Sequence, residues 1–193
     1  MSIAKTPAAK TPTAVVTGAN SGIGHALAQI LVKQVRVPLK LSLDQINAGT
    51  EEQQGYRVVT VDVNMGAPII ELGCETAQPD VSSQHDIEAF KERMAYRPID
   101  ILLNVAGIMY PQDSDTLEKV NLMRLQKTFA VNTSGPLLLT QALLPSIELA
   151  DRPLIAVMSP RVGSIGDNST GSMYSYRSSK LWRTCYSTTS AST

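Results

Sequence analysis

Tyr176 and Lys180 stand four residues apart, a spacing that puts two side chains on one face of a helix. A tyrosine of ordinary pKa, about 10, trades protons poorly near neutrality. A neighbouring ammonium favours the phenolate and lowers that value. Such a pair could protonate a carbonyl oxygen or take the proton of an alcohol. Tyr174 is the alternative phenol, but four residues beyond it lies Ser178 rather than a lysine. A second chemistry is carried by Thr17-Gly18-Ala19-Asn20-Ser21-Gly22-Ile23-Gly24. It follows the β-branched run Ala14-Val15-Val16 and opens a helical pattern from His25 to Val32. Glycines there let backbone N–H groups approach a pyrophosphate, and a helix N-terminus adds partial positive charge.

These residues need a scaffold, and the hydrophobic runs supply one. Arg57 to Asp62 reads as a second buried strand ending in an acid, and Glu75 to Asp80 as a weaker third. Ser82 and Ser83 can cap a helix whose Ile87, Phe90 and Met94 share a face. Ile99 to Leu103 is a fourth strand running into Asn104-Val105-Ala106-Gly107. From Thr116 to about Leu144 the pattern is helical, broken at Gly135-Pro136, and Leu154 to Met158 is a fifth strand. Helical lengths between strands imply parallel pairing with right-handed crossovers. The expectation is an α/β, Rossmann-like, doubly wound parallel sheet of order 3-2-1-4-5, which binds ligands beyond the carboxyl ends of its strands. Asp62 would then bond both ribose hydroxyls of NAD and repel the 2′-phosphate of NADP. No arginine follows it, so NAD is expected, with NADP as the alternative.

With the tyrosine–lysine pair downstream, the spacing T-G-x-x-x-G-x-G resembles that of the short-chain dehydrogenase/reductase family. Asn104-Val105-Ala106-Gly107 resembles its N-N-A-G motif, with Val105 in place of the second Asn, and Tyr176 to Lys180 matches its Y-x-x-x-K. The wording around Gly163-Ser164-Ile165-Gly166 and Met173 to Arg177 is most similar to the carbonyl-reductase branch with C-factor and sniffer-type proteins. The resemblance implies an NAD(P)-dependent oxidoreductase moving a hydride between a nicotinamide and a small carbonyl or secondary alcohol, and a homo-oligomer. It implies cofactor contacts at Thr17, Gly18, Asn20, Ser21, Gly22, Ile23, Gly24, Asp62, Asp80, Val81, Asn104, Ala106 and Gly107. Asp80-Val81 corresponds to the acid that contacts adenine. Asn132, within Phe129 to Pro136, would hold a water linking Lys180 to solvent. The family's catalytic serine falls on Pro160, leaving Ser164, favoured, or Ser159 to serve the substrate oxygen.

Length, at 193 residues, suggests one domain, and Lys+Arg and Asp+Glu are both 17. There is no basic excess pointing to nucleic acid, no run of about 18 apolar residues for a membrane span, and no Cys/His set for a metal. The cytoplasm is the default compartment. Residues 1–13, rich in Ala, Lys, Thr and Pro, read as a disordered tail, and residues 14–180 as the nucleotide-binding domain.

Two stretches depart from the family. Residues 35–54 stand where a tight turn is expected and push Asp62 beyond its usual spacing of about 20 residues. They read either as a surface insertion or as an unspliced intron of in-frame length. After Lys180 the sequence turns Ser- and Thr-rich, so residues 181–193 are expected to be unstructured and the family's last two strands missing. A one-base frameshift is compatible with that ending. The expectations are therefore a poor enzyme with the fifth strand as an exposed edge, a catalytically impaired nucleotide-binding or regulatory protein, or a truncated gene product.

Overall fold

The computed structural model describes residues 11–33, 55–161, 164 and 171–181. The insertion at 35–54, nearly all of the expected N-terminal tail and residues 182–193 lie outside the described residues. In chain order the elements are β1 (Thr13–Thr17), α1 (Gly22–Lys33), β2 (Arg57–Val61), α2 (Ala67–Glu71), β3 (Glu75–Ala77), α3 (Gln84–Met94), β4 (Ile101–Asn104), α4 (Leu122–Phe129), α5 (Gly135–Ile147), β5 (Leu154–Val157) and α6 (Tyr174–Lys180). Five strands are parallel, as the helical lengths between them predict, and are ordered β3-β2-β1-β4-β5, the order expected of the Rossmann-like fold.

β1 is central and buried along its whole length. Its register sets Val15 beside Val59 on one side and Leu102 on the other. Because side chains alternate along a strand, Val15, Val59, Val61 and Leu102 meet Phe90, Met94, Leu139, Leu143 and Ile147 of α3 and α5. Ala14, Val16 and Val58 face the other way, onto Ala28, Leu31 and Ile69 of α1 and α2. Each large side chain so buried contributes about 1.5–3 kcal/mol.

Several sequence expectations shift. Thr13 belongs to β1 rather than to the tail, β3 ends at Ala77, and the five-residue α2 was not anticipated. Ser83 caps α3 by accepting from Asp86 N, whereas Ser82 turns to Asp80. The helix expected from Thr116 starts at Leu122, because Asn121 Oδ1 accepts from Arg124 N at 3.0 Å and fixes the first turn there. Gly135-Pro136 is no break. Residues Ala130–Ser134 form one π-helical turn in which Gly135 N donates to Ala130 O, and α5 continues from it. Pro136 lacks an N–H, and the wider turn accommodates it without ending the helix.

β5 pairs with β4 from Ile101↔Leu154 to Asn104↔Val157 and is an edge of the described sheet. Leu154 is 54% and Ile155 38% exposed, as expected of an apolar strand covered on one side. At the opposite edge, Glu75 of β3 is bonded by Arg57, Arg93 and Arg97. Hydrogen bonds from Arg97 hold the Glu75 carboxyl down at about 2, despite some burial.

Candidate active site

One cleft of about 610 Å³ crosses the carboxyl ends of β1, β2 and β4. The turn between β1 and α1 floors it with Gly18, Ser21, Ile23 and Gly24. Two of these positions are closed to any side chain. A Cβ on Gly18, where φ is +69°, would sit 2.9 Å from Ala106 Cα and N, and one on Gly24 would sit 2.1 Å from Gly18 O. Helix, turn and the loop after β4 are thus stacked backbone on backbone, and the first N–H groups of α1 have no intrahelical acceptor.

Thr17 serves this stack rather than lining the cleft. Its Oγ1 accepts from Val105 N at 2.9 Å and Ala106 N at 3.0 Å, and its hydroxyl reaches Leu103 O at 3.4 Å. Asn20 likewise works through its backbone and amide. Its N–H donates to Asp62 Oδ2 at 3.0 Å, and its Oδ1 accepts from Gly66 N at 3.0 Å. Asp62 itself lines the cleft, with Oδ1 accepting from Asn64 N. Asp80, Val81, Ala106 and Gly107 line it too. The Asp80 carboxylate is held by Ser82 N, Ser82 Oγ and Lys127 Nζ. Burial pushes its pKa up, but the Ser82 bonds and the Lys127 charge outweigh burial and keep it below the ordinary value. Gly22 and Asn104 are not among the lining residues; Asn104 is buried with its Nδ2 on Thr140 Oγ1.

α6 brings Tyr176 and Lys180 to the same cleft, beside Ile108, Met109, Met158 and Pro160. Lys180 Nζ lies 5.8 Å from the centre of the Tyr176 ring and 3.5 Å from Met158 O. The shared helix face is therefore as the spacing predicts, but the electrostatics differ. Burial raises the Tyr176 pKa and lowers that of Lys180. At this separation desolvation dominates over the ammonium's pull on the phenol.

Asn132 does not open into the cleft. It is buried, with Oδ1 accepting from Ile108 N at 2.8 Å and Nδ2 donating to Ile108 O and to Ser179 Oγ. Its side chain ties the loop after β4 to α6. Ser164 is exposed and absent from the cleft lining, while Pro160, the residue aligned with the family's serine, is present. Sequence reasoning missed Lys127, Met158 and Asp115. Lys127 carries no local motif, and Asp115 makes its contacts across the fold.

Residues 12–189 match the family model described as short chain dehydrogenase. The fold, the glycine-rich turn and the tyrosine–lysine helix agree with that match, and the chain belongs to this family of nicotinamide-dependent oxidoreductases. It is 31% identical over 172 residues to 1-hydroxy-2-glutathionyl-2-methyl-3-butene dehydrogenase of Rhodococcus sp. (strain AD45), covering 87% of this chain and 65% of that protein. It is 33% identical over 94 residues to C-signal of Myxococcus xanthus, covering 49% and 55%. Among solved structures, the NADPH-bound carbonyl reductase from chicken fatty liver superposes with a TM-score of 0.71 at 25% identity, covering 89% of this chain and 69% of that one. Carbonyl reductase Sniffer of D. melanogaster has the same fold, with a TM-score of 0.71 at 23% identity over 89% of this chain and 71% of that one. This chain spans less than two thirds of the length of these curated relatives. Among the described residues no helix is long and apolar enough to cross a membrane.

Proposed function

We propose that this chain binds a nicotinamide dinucleotide, preferring NAD(H), and reduces the carbonyl group of a small, largely apolar molecule. The observation that carries the reading is the single cleft holding the glycine-rich turn, Asp62 and the Tyr176–Lys180 pair. The cofactor fits the residues present: the Gly18–Gly24 cradle leaves backbone where any side chain would clash, and Asp62 stands at the end of β2. When bound, the reduced nicotinamide supplies a hydride.

The chain's own residues do the rest. Tyr176 holds a proton on its hydroxyl, and burial keeps the phenol neutral well above physiological pH. That state suits an acid donating to a carbonyl oxygen better than a base starting an oxidation. Lys180 sets positive charge near the ring, where it stabilises the phenolate left behind. Ile108, Met109, Met158 and Pro160 give the catalytic end an apolar wall that favours an uncharged aldehyde or ketone. Asp62, which lines the cleft at the end of β2, would accept from the ribose hydroxyls and disfavour a 2′-phosphate. Two similar proteins, a mouse NADPH carbonyl reductase and the NADPH-bound chicken enzyme, make NADPH the competing cofactor.

Fluorescence titration with NADH and NADPH, followed by NADH consumption with aromatic aldehydes and aliphatic ketones, tests the reading. NADH binding tighter than NADPH, with carbonyl-dependent oxidation, is the expected result. Tighter NADPH binding overturns the cofactor assignment. Cofactor binding without turnover of any carbonyl would favour a nucleotide-binding protein that does not catalyse.

A further inference from the structure

The residue at the N-cap position of α6 is unsuited to capping it. The chain enters the helix through Gly171, Ser172 and Met173 with φ of +65°, +57° and +53°, and Met173, at the N-cap, offers no side-chain bond to the first turn. Two consecutive non-glycine residues in the left-handed region are strained and persist only where surrounding structure imposes them. The missing acceptor comes from far along the chain. Asp115 is fully buried, and its carboxylate accepts from Ser175 N at 3.1 Å through both oxygens, from Ser175 Oγ at 2.6 Å and from Tyr176 N at 3.3 Å. The Asp115 backbone carbonyl also accepts from Tyr174 N at 3.3 Å. Among the described residues no cation forms an ion pair with it.

A carboxylate in such a place has lost its water, and among the described residues these donors compensate, together with the positive end of the helix. Its grip falls on the backbone of Tyr176 itself. The far end of α6 is held separately, where Ser179 Oγ accepts from Asn132 Nδ2 and Ser179 O from Thr133 Oγ1. A seven-residue helix held at one end only could swing Tyr176 and Lys180 out of the cleft. Relaxing toward an ordinary entry at Ser172 and Met173 would give it reason to do so.

We propose that Asp115 is a positioning residue, a cap supplied from 60 residues away that fixes where Tyr176 and Lys180 stand. The proposal rests on reading those two as the proton-transferring pair. It predicts a separation of chemistry from binding, because the cofactor's cradle lies on β1 and α1 and does not depend on α6.

The test compares Asp115→Ala and Asp115→Asn in the full chain. Amide exchange in 174–180 should quicken at least tenfold in Asp115→Ala, with peptides from β1 and β4 within twofold of the parent. Asp115→Asn keeps one acceptor oxygen and should fall between the two. In turnover with a carbonyl substrate, kcat should drop about 100-fold in Asp115→Ala, the scale of a misplacement near 1 Å. Kd for NADH should stay within threefold, and Asp115→Asn should recover most of kcat. If Asp115→Ala does not fold, Asp115→Asn must still show exchange at least threefold faster in 174–180 alone. Unchanged exchange in 174–180, or exchange rising equally in β1 and β4, overturns the proposal. So does a loss of NADH affinity matching the loss of kcat. A parent chain that binds NADH without turnover defeats the functional reading instead, and the exchange measurement still decides the role of Asp115.

Discussion

The two ends of the cleft, one at the glycine-rich turn and one at Tyr176 and Lys180, are built on different principles. Around Gly18 and Gly24 the parts touch through backbone, with approaches that no side chain could replace, and the central strand beneath is wholly buried. Around Tyr176 and Lys180 the helix is short, enters through left-handed residues, and is held by side-chain bonds from Asp115 and Asn132. The preceding strand β5 is half-exposed and apolar and is an edge of the described sheet. The edge at β3 is guarded by a charged cluster. A phosphate cradle needs only correctly aimed N–H groups, which stacked backbone delivers. Proton transfer needs a side-chain atom placed to fractions of an ångström, which here depends on a chain of partners.

The contrast breaks most sharply at the phenol. Tyr176→Phe should lower kcat by roughly 1,000-fold, within the usual range for losing a general acid. NADH affinity should change by less than threefold, and Tyr174→Phe should be near neutral in single-turnover measurements. A Tyr176→Phe chain with parental kcat would place the chemistry elsewhere. On the other side, Gly24→Ala forces a Cβ against Gly18 O. It should cost at least about 3 kcal/mol in stability, the upper range for overpacking, and remove NADH binding. Denaturant titration and cofactor fluorescence would read both losses.

A finer division concerns cofactor choice. Asp62→Ala should narrow the NADH-over-NADPH preference by about tenfold, close to 1.4 kcal/mol, without altering kcat for whichever cofactor is saturating. Equal preference before and after substitution would remove Asp62 from specificity. The smallest effect belongs to the β3 edge. The folded carboxyl of Glu75 is lowered to about 2, so its stabilising contribution is complete above the ordinary glutamate range and fades as pH falls toward 2. Thermal midpoints of the parent and Glu75→Gln should therefore differ most near pH 7 and converge below pH 3. A difference that grows on acidification would contradict the assignment.

The same division runs through what the sequence made legible. The existence of the strands, the glycine turn and the acid after β2 follow from local signals: β-branched runs, glycine spacing and a strand-end carboxylate. The tyrosine–lysine pair is equally local, a matter of helical period. What escaped reading depends on tertiary approach. Asp115 sits in a polar loop with no pattern around it, and only the fold sets it under α6. The lowered tyrosine expected from Lys180 failed because spacing says nothing of burial, which here acts on both groups in opposite directions. Gly135-Pro136 looked like a break because propensity does not foresee a π-helical turn that absorbs a proline.

Thr17 offers a last consequence. One oxygen receives the N–H groups of both Val105 and Ala106, so the glycine-rich turn and the loop after β4 share a fastener. A ligand that shifts one of them should be felt at the other. Linkage makes that coupling reciprocal: a carbonyl compound seated near Ile108 should tighten the hold on the nucleotide by the same factor that the nucleotide tightens its own. Valine at position 17 would keep the shape and cut the communication, leaving two binding events that no longer inform each other.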